Sequence, residues 1–224
     1  MTDGRPAAYD DVAGAYARTF DEGAALRDPV FERLLGVLSG QQVLAVACGQ
    51  GRDARLLADL GARVVGVDIS AQMLERARTL EEASPRGIRY LQGDAATLEA
   101  FANASFDGVA CHMALMDMPE LDPVIRSVAR VLRPAGWFVC SIVHPCYGPH
   151  VDNVTDYLAE SRYEKRIPLD ALPRHAYHRP LSSYVDALAE QRFSIDRMVE
   201  RHHETDPTGA VPGLLYLRCT KAAG

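Results

Sequence analysis

The stretch VLAVACGQG, residues 43–51, runs from an apolar segment directly into a turn marked by glycines. The apolar part has the length and composition of a buried strand, and Gly49 and Gly51 let the chain turn sharply without a Cβ in the way. The helical pattern that begins at Arg52 directs its free backbone N–H groups toward the same turn. A strand, turn and helix in this order are typical of the edge at which α/β proteins bind ligands.

The segments that follow alternate between apolar runs and helical patterns as far as residue 143. Continuous apolar runs separated by helices predict a parallel sheet that is covered on both faces. The predicted fold class is therefore α/β with a doubly wound sheet. The patterns predict strands at 43–47, 63–68, 88–92, 106–112 and 136–143, and helices at about 52–60, 71–83, 95–102 and 120–132.

The flanks of this pattern are predicted to cover the sheet. Residues 7–38 hold two helical patterns, and Asp28 and Pro29 open the second as its cap and first turn. Residues 145–180 show no clear period, and their five prolines, three histidines and four tyrosines favour a lid over a binding site.

The end of the chain predicts a helix, capped at Ser182 or Ser183, and then two strands. The strand-like runs FSIDRMVERHHE and GLLYLRCTKA are joined by a turn-rich segment, so we expect a hairpin and an antiparallel last strand. A length of 224 residues suits one domain. We predict a single domain over 1–224, with 1–40 as a helical cap and 145–180 as a lid.

The composition excludes several classes of protein. The apolar fraction is 48%, and no window approaches the roughly 18 apolar residues that a membrane span needs. The N-terminus lacks the apolar core of a secretory signal, and five scattered cysteines fit reduced thiols, so we predict the cytoplasm. A net charge of −6 gives no basic surface for nucleic acid. A small-molecule partner is the better prediction.

Two acids end the strands that follow the glycine turn. Asp68 ends the second strand, where a carboxylate can accept both hydroxyls of a ribose, and Asp94 ends the third. Together with the turn they predict a nucleoside-binding crevice. The turn also fits the dinucleotide pattern G-x-G-x-x-A, which would indicate a nicotinamide oxidoreductase. Against that reading, Asp53 places an acid at the helix start, where it would repel a pyrophosphate.

The motifs VLAVACGQG, VVGVDIS, LQGDA, FDGVACHMAL and VLRPAGWFV resemble, in this order and spacing, those of class I S-adenosylmethionine-dependent methyltransferases. The resemblance covers about residues 8–144. It implies a Rossmann-like sheet of seven strands in the order 3-2-1-4-5-7-6, with the last strand antiparallel. More narrowly, SIVHPC and YHRPLSSYVDAL resemble small bacterial methyltransferases of natural-product pathways. The implied reaction is methyl transfer to an oxygen or nitrogen of a small molecule in secondary metabolism.

The resemblance also implies which residues hold the cofactor, S-adenosylmethionine, and its product S-adenosylhomocysteine. The glycine turn would face the methionine and ribose portion, Asp68 would bind the ribose, and Asp94 with the Ala95 N–H would bind the adenine. The predicted cofactor residues are Ala47, Cys48, Gly49, Gly51, Asp68, Ile69, Asp94, Ala95, His112 and Met113.

Two positions depart from the family pattern. The usual acid is replaced by Ala45, and the usual first glycine is replaced by Ala47. That acid often helps to orient the methionine amino group, so either another group anchors this end of the cofactor or the affinity for the cofactor is reduced. We predict Tyr16 or Arg18 of the N-terminal helix, or the end of the fourth strand, in that role.

The acceptor side is predicted from histidines and aromatic residues. A hydroxyl or amine acceptor loses a proton during methyl transfer, and histidine is the usual general base. His144, after the fifth strand, is the first candidate and His112 the second, with His175 and His178 as further ones in the segment 145–180. The predicted substrate-binding residues are Tyr147, Tyr177, His178 and Arg179.

Other functions stay open at this stage. Cys140, His144 and Cys146 share one face of an extended strand, but their spacing matches no standard zinc pattern, so we predict no metal. A cyclase that keeps the cofactor without consuming it, or a binding module without catalysis, would fit the same fold. The chain is predicted to act as a monomer or homodimer.

Overall fold

The computed structural model describes residues 9–20, 28–147, 154–165, 175–203 and 211–223, with the side chains of 17–20 left aside. Its central feature is a sheet of seven strands in the order β3-β2-β1-β4-β5-β9-β8. The strands of this sheet are β1 (Gln42–Val46), β2 (Arg63–Asp68), β3 (Arg89–Gln92), β4 (Phe106–His112), β5 (Leu132–Val143), β8 (Phe193–Arg201) and β9 (Leu214–Lys221).

The first five strands are parallel, and β9 is antiparallel to both of its neighbours, β5 and β8. Counted within this sheet alone, β8 and β9 are the sixth and seventh strands. The predicted fold class, strand order and antiparallel last strand are therefore confirmed. A short separate sheet pairs β6 (Ser161–Glu164) with β7 (His175–His178).

Helices cover both faces of the large sheet. Within the described residues the α-helices are α1 (Ala13–Phe20), α2 (Pro29–Leu35), α3 (Arg52–Asp59), α4 (Ala71–Ala83), α5 (Leu121–Val131) and α6 (Leu181–Glu190), and a 3₁₀ turn spans Leu115–Asp117. Asp28 caps α2 as predicted, because its carboxylate accepts the N–H groups of Val30 and Phe31 at 3.0 and 3.1 Å. Ser70 caps α4 by accepting the Met73 N–H at 3.1 Å.

Each face of the sheet has its own apolar layer. On one face, α5 and α6 pack Val124, Val128 and Leu188 against β4, β5 and β9. On the other face, α2, α3 and α4 pack Phe31, Leu57 and other apolar residues against β1 and β5. Burying one such side chain contributes about 1.5–3 kcal/mol, so the two layers fix the carboxyl ends of β1, β2 and β4 relative to one another. No helix among the described residues is long and apolar enough to cross a bilayer.

The structure corrects three local predictions. The helix expected at 95–102 is wrong, because the Asp94 side chain and carbonyl hold this segment in turns and Leu98 has a φ of 44°. The helix cap expected at Ser182 or Ser183 is also wrong, since α6 begins directly after Pro180 with no side-chain cap. The third correction concerns β5, which begins at Leu132 and not at residue 136. Its pairing with β4 extends to Leu132 because the register shifts between Phe106 and Gly108.

Candidate functional site

The first part of the candidate site is the crevice where β1 and β2 end. The Gly49 N–H donates to Oδ2 of Asp68 at 2.7 Å, and the Ser70 N–H donates to Oδ1 at 2.8 Å. Burial raises the pKa of Asp68 above its ordinary value, although these two backbone hydrogen bonds lower it in part. The carboxylate is thus held in one orientation, and each oxygen keeps a lone pair for a further donor.

The backbone of the crevice is strained at two positions that are not glycine. Ala47, after β1, has a φ of 51°, and Met113, after β4, has a φ of 53°. The left-handed region costs such residues about 1–2 kcal/mol each, and strain of this kind clusters at functional sites. Ala47 therefore keeps the backbone conformation that a glycine would adopt at lower cost. Gly51 has a φ of 89°, and a Cβ there would lie 2.4 Å from the Tyr90 hydroxyl oxygen.

Unpaired polar atoms lie beside Asp68 at the next strand end. Asp94 accepts the Ala96 N–H through Oδ1 at 2.8 Å. Its Oδ2 and the Ala95 N–H have no hydrogen-bond partner among the residues that the structure describes. Ile69, directly after Asp68, is 44% exposed. An acceptor, a donor and an apolar surface together suit one edge and one face of a purine ring.

The position of the missing acid is apolar. Ala45 is buried, pairs with Gly66 and Ala110 across the sheet, and belongs to the layer that α2 and α3 cover. His112 follows Ala110 by two residues and so lies on the same face, one step nearer the crevice. Phe31 of α2 stacks on its ring with the centroids 4.2 Å apart.

Two carboxylates flank the His112 ring. Its Nδ1 lies 3.1 Å from Oδ2 of Asp53, and its Nε2 lies 3.6 Å from Oδ2 of Asp28. Arg52 pairs with Asp53 at 3.2 Å, and Arg201 reaches Asp28 at 3.8 Å. The cluster therefore contains both signs of charge, on side chains that are 17–35% exposed around the buried imidazole.

The carboxylates favour the protonated form of His112. Burial alone would lower its pKa, and the charge of Arg52 acts in the same direction, but the charge and hydrogen bond of Asp53 and the nearby carboxylate of Asp28 raise it above the ordinary value. Burial would raise the pKa of Asp53, yet the charge and hydrogen bond of His112 and the charge of Arg52 lower it to about 2. Nη2 of Arg52 lies 3.0 Å from the same Nδ1, so Asp28, Asp53 and Arg52 surround both ring nitrogens. This geometry favours a positioning role for His112 over the role of a base.

The N-terminal helix contributes Tyr16. Burial raises the pKa of its hydroxyl, and the charges of Asp53, Asp117 and Asp68 act in the same direction while that of Arg52 opposes them. The predicted role of Tyr16 at the methionine end of the cofactor stays a prediction. Arg18 lies on α1, but its side chain is outside the described part of the chain.

Tyr9 and Asp10, which precede α1, each form a hydrogen bond with a side chain of the site. The Tyr9 hydroxyl donates to Oδ2 of Asp117 at 2.8 Å, and Asp10 accepts the Ser70 hydroxyl at 2.5 Å. Lys165, beyond β6, donates to the other oxygen of Asp117 at 2.6 Å. One buried carboxylate after β4 thus binds both the N-terminal segment and the predicted lid segment.

The second part of the candidate site is a narrow pocket at the ends of β4 and β5. Three of the four predicted substrate-binding residues and His144 come together in it, whereas Tyr147 stacks on His203 elsewhere, with the ring centroids 5.1 Å apart. The pocket is lined by Met116, Val143, His144, Pro145, Tyr163, Tyr177, His178, Arg179 and Tyr184.

Arg179 and His144 both hold the pocket wall together. Arg179 donates to the carbonyls of Leu115, Met118 and Pro119, at 2.8–3.4 Å. His144 accepts the Cys146 N–H at Nδ1 and lies 2.9 Å from Glu200 through Nε2. The predicted catalytic role of His144 and the substrate contact of Arg179 stay predictions. Among the described residues, no group of His, Cys, Asp or Glu is arranged to hold a metal ion.

Sequence reasoning missed four charged residues of the site. Asp28 was interpreted only as a helix cap, and Asp53 only as an obstacle to a pyrophosphate. A signal was available for both, because each begins a helix next to a strand of the central sheet. Asp117 and Lys165 carried no comparable signal, since they are 48 residues apart and their contact depends on the small sheet.

Comparisons with known proteins agree with this fold. Residues 44–140 match the family described as "Methyltransferase domain". A demethylmenaquinone methyltransferase of Renibacterium salmoninarum is 34% identical over 157 residues, which cover 68% of this chain and 64% of that protein. This chain therefore spans less than two thirds of the length of that curated relative.

Two solved structures extend the comparison over most of the chain. An S-adenosylmethionine-dependent methyltransferase from Mesorhizobium loti has 26% identity and a TM-score of 0.69, with 89% of this chain and 99% of that chain covered. The [4+2]-cyclase SpnF has 17% identity and a TM-score of 0.70, with 96% and 95% covered, and shows the fold alone.

The strand order, the glycine turn and the acids at the strand ends define a Rossmann-like methyltransferase fold. Residues 44–140, which include the crevice, match a methyltransferase domain, and the chain has the fold of the S-adenosylmethionine-dependent methyltransferases.

Proposed function

We propose that the protein transfers a methyl group from S-adenosylmethionine to an oxygen or nitrogen of a small molecule. The observation that carries this proposal is the crevice at the ends of β1, β2 and β3, which opens beside an aromatic pocket at the ends of β4 and β5. The bound cofactor would supply a methyl group activated by the positive charge on its sulfur. The protein contributes binding, alignment and removal of the acceptor proton.

The polar atoms of the crevice fit the nucleoside part of this cofactor. Two backbone hydrogen bonds hold the Asp68 carboxylate in an orientation that suits the ribose hydroxyls. Oδ2 of Asp94 and the Ala95 N–H offer an acceptor and a donor for the adenine edge. Ile69 would cover one face of the ring. Asp53, at the start of α3, supports this cofactor over a dinucleotide, because its charge would repel a pyrophosphate.

We further propose that Asp28 and Asp53 take the place of the acid missing at Ala45. Both carboxylates lie on the face of the sheet that Ala45 belongs to, and His112 holds them close to the crevice. The amino-acid end of the cofactor carries a positive and a negative charge. The carboxylates would bind its ammonium group, and Arg52 or Tyr16 its carboxylate.

The side chains that line the pocket favour a small aromatic acceptor, and the cavity, about 10 Å³ in this structure, would have to widen to admit one. Tyr163 and Tyr184 are buried in its wall, with Tyr177, Met116 and Val143 beside them. Aromatic rings pack well against such walls. The relative from Renibacterium salmoninarum is named as acting on demethylmenaquinone, which supports an acceptor with a ring.

The remaining proposals concern the setting of the reaction. The resemblance to natural-product methyltransferases supports a place in secondary metabolism. All five cysteines are free, which supports a reducing compartment such as the cytoplasm. Residues 1–40 and 145–180 would cover the two parts of the site, in a monomer or a homodimer.

The test measures S-adenosylhomocysteine binding by calorimetry and methyl transfer with a labelled donor on a panel of phenols and amines. Asp68→Ala should weaken binding roughly 5- to 150-fold, or about 1–3 kcal/mol, because a charged hydrogen-bond acceptor is lost. Asp107→Asn is the control, since Asp107 accepts the Gln42 N–H at the opposite end of the sheet. Unchanged affinity in the Asp68 variant would refute the crevice assignment, and binding without any methyl transfer would favour a cyclase.

A further inference from the structure

The pocket wall contains few groups that could accept a proton. A guanidinium, as in Arg179, has donors only, and a neutral phenol is not a base. Burial raises the pKa of Tyr184 to about 12 and that of Tyr163 further, so both hydroxyls remain neutral near pH 7. Among the residues that line the pocket, this leaves the two histidines, His144 and His178.

The contacts of His144 occupy both of its ring nitrogens. Nδ1 accepts the Cys146 N–H at 3.1 Å, so in the neutral ring the proton lies on Nε2 and is donated to Glu200 at 2.9 Å. His144 can therefore take up a proton only if it gives up the Cys146 contact.

The contacts of His178 leave one nitrogen free. Its Nε2 lies 2.8 Å from the Tyr157 carbonyl oxygen, which can only accept, so the neutral ring carries its proton on Nε2. The lone pair then lies on Nδ1. Within the described ranges of the chain, Nδ1 of His178 makes no hydrogen bond.

The structure holds the His178 ring rigidly. Residue 178 pairs with Ser161 in the small sheet, and the Tyr157 ring packs edge-on against the imidazole, with the centroids 5.5 Å apart. The next residue, Arg179, is fixed by three backbone carbonyls of the segment after β4. A general base needs such fixed placement within hydrogen-bond reach of the acceptor.

We propose that Nδ1 of His178 is the base that takes the proton from the acceptor, an inference that rests on the proposed function. The acceptor oxygen or nitrogen forms a bond to the methyl carbon while the carbon–sulfur bond breaks and leaves its electron pair on sulfur. The proton of the hydroxyl or amino group passes to Nδ1. The resulting imidazolium later releases that proton to water, and the Tyr157 carbonyl stabilises it through Nε2–H.

The first experiment determines where the protons lie, without any acceptor. Nitrogen-15 NMR of histidine-labelled protein, saturated with S-adenosylhomocysteine, should show His178 with the proton on Nε2 and a bare Nδ1 at neutral pH. His178→Gln assigns the signal, and His202→Asn, on the exposed surface, is the control that leaves it in place. A proton on Nδ1 with a bare Nε2 would overturn the proposal.

The second experiment uses turnover of catechol as the probe acceptor. His178→Gln keeps a donor for the Tyr157 carbonyl but lacks a base, so we expect turnover to fall about 10²- to 10⁴-fold while S-adenosylhomocysteine affinity stays within twofold. Added imidazole should restore part of the turnover in His178→Ala. Unchanged turnover in His178→Gln, or the absence of rescue in a folded His178→Ala, would overturn the proposal.

Failure of the proposed function gives a different result. A wild-type protein that binds S-adenosylhomocysteine but methylates neither catechol nor the phenols and amines of the panel would contradict the proposed methyl transfer, and with it the role of His178. A loss of turnover in His144→Asn alone, with full activity in His178→Gln, would assign the base to His144 and overturn the proposal for His178.

Discussion

The crevice and the pocket are built in different ways, although they lie at the same edge of one sheet. The crevice is made mainly by backbone: a glycine turn, two strained residues and the N–H groups that fix Asp68. The pocket is made by side chains from segments far apart in the chain, which meet through the small sheet and α6. A backbone site is fixed by the fold, whereas a side-chain site can change its specificity by substitution.

The largest effect on the crevice, with none on the pocket, is expected from Gly51→Ala. The new Cβ would lie 2.4 Å from the Tyr90 hydroxyl oxygen in a left-handed backbone, so we expect a loss of more than about 2 kcal/mol in unfolding free energy. S-adenosylhomocysteine binding should fall with it. Urea unfolding and calorimetry measure the two effects.

Gly87→Ala is the matched control for that variant. Gly87 has a φ of 78°, but a Cβ there has open space, so it should cost only the backbone strain of about 1–2 kcal/mol and leave binding unchanged. Equal losses in the two variants would mean that the contact with Tyr90 contributes nothing.

The stability that the His112 cluster contributes beside the crevice should depend on pH. Because the pKa of His112 is raised, its stabilisation is complete below about pH 6.5 and is lost as the pH rises through the higher folded value. The pKa of Asp53 is lowered to about 2, so its stabilisation is present above about pH 4 and is lost as the pH falls toward that value. The cluster is strongest between these limits.

His112→Gln tests this dependence. We expect the variant to lose about 1–3 kcal/mol of unfolding free energy at pH 6, because two carboxylates lose their charged partner, and to lose less at pH 9. Urea unfolding across this range gives the difference at each pH. A constant difference between wild type and variant would contradict a protonated His112.

The smallest effect on unfolding free energy should come from Ala47→Gly, which tests whether the backbone at residue 47 is strained. Glycine removes about 1–2 kcal/mol of strain but loses about 0.5–1 kcal/mol in chain entropy, so stability should rise by up to about 1.5 kcal/mol. Ala104→Gly is the control, because Ala104 also has a positive φ, 53°, away from the crevice. Thermal unfolding should show a similar rise in melting temperature for both variants. A fall for Ala47→Gly alone would show that the packing of the Ala47 methyl group stabilises the fold by more than the strain costs.

The crevice could be predicted from the sequence because its parts are local. Asp68 and Asp94 each end a strand, and parallel strands place such residues at one edge whatever covers the sheet. The turn needs only the glycines and the strand before them. The strand order followed from the family resemblance, and the antiparallel last strand also followed from the hairpin pattern.

The other contacts could not be predicted in this way. Asp28 lies 84 positions before His112 and reaches it only because α2 packs on the sheet through Phe31. The free nitrogen of His178 depends on a carbonyl 21 residues away, at Tyr157. The helix expected at 95–102 failed because the side chain of Asp94 competes for the backbone N–H groups.

The place of Asp28 on a short helix has a mechanical consequence. A carboxylate at position 45 would lie on β1, whose backbone is hydrogen-bonded to β2 on one side and to β4 on the other. It would therefore move only with the whole sheet. Asp28 instead precedes the seven-residue α2, which is held to the sheet by apolar contacts. A cavity made under α2, as by Leu34→Ala, would shift the carboxylate as well as weaken the core. Repacking far from the ligand therefore becomes a means of tuning its affinity.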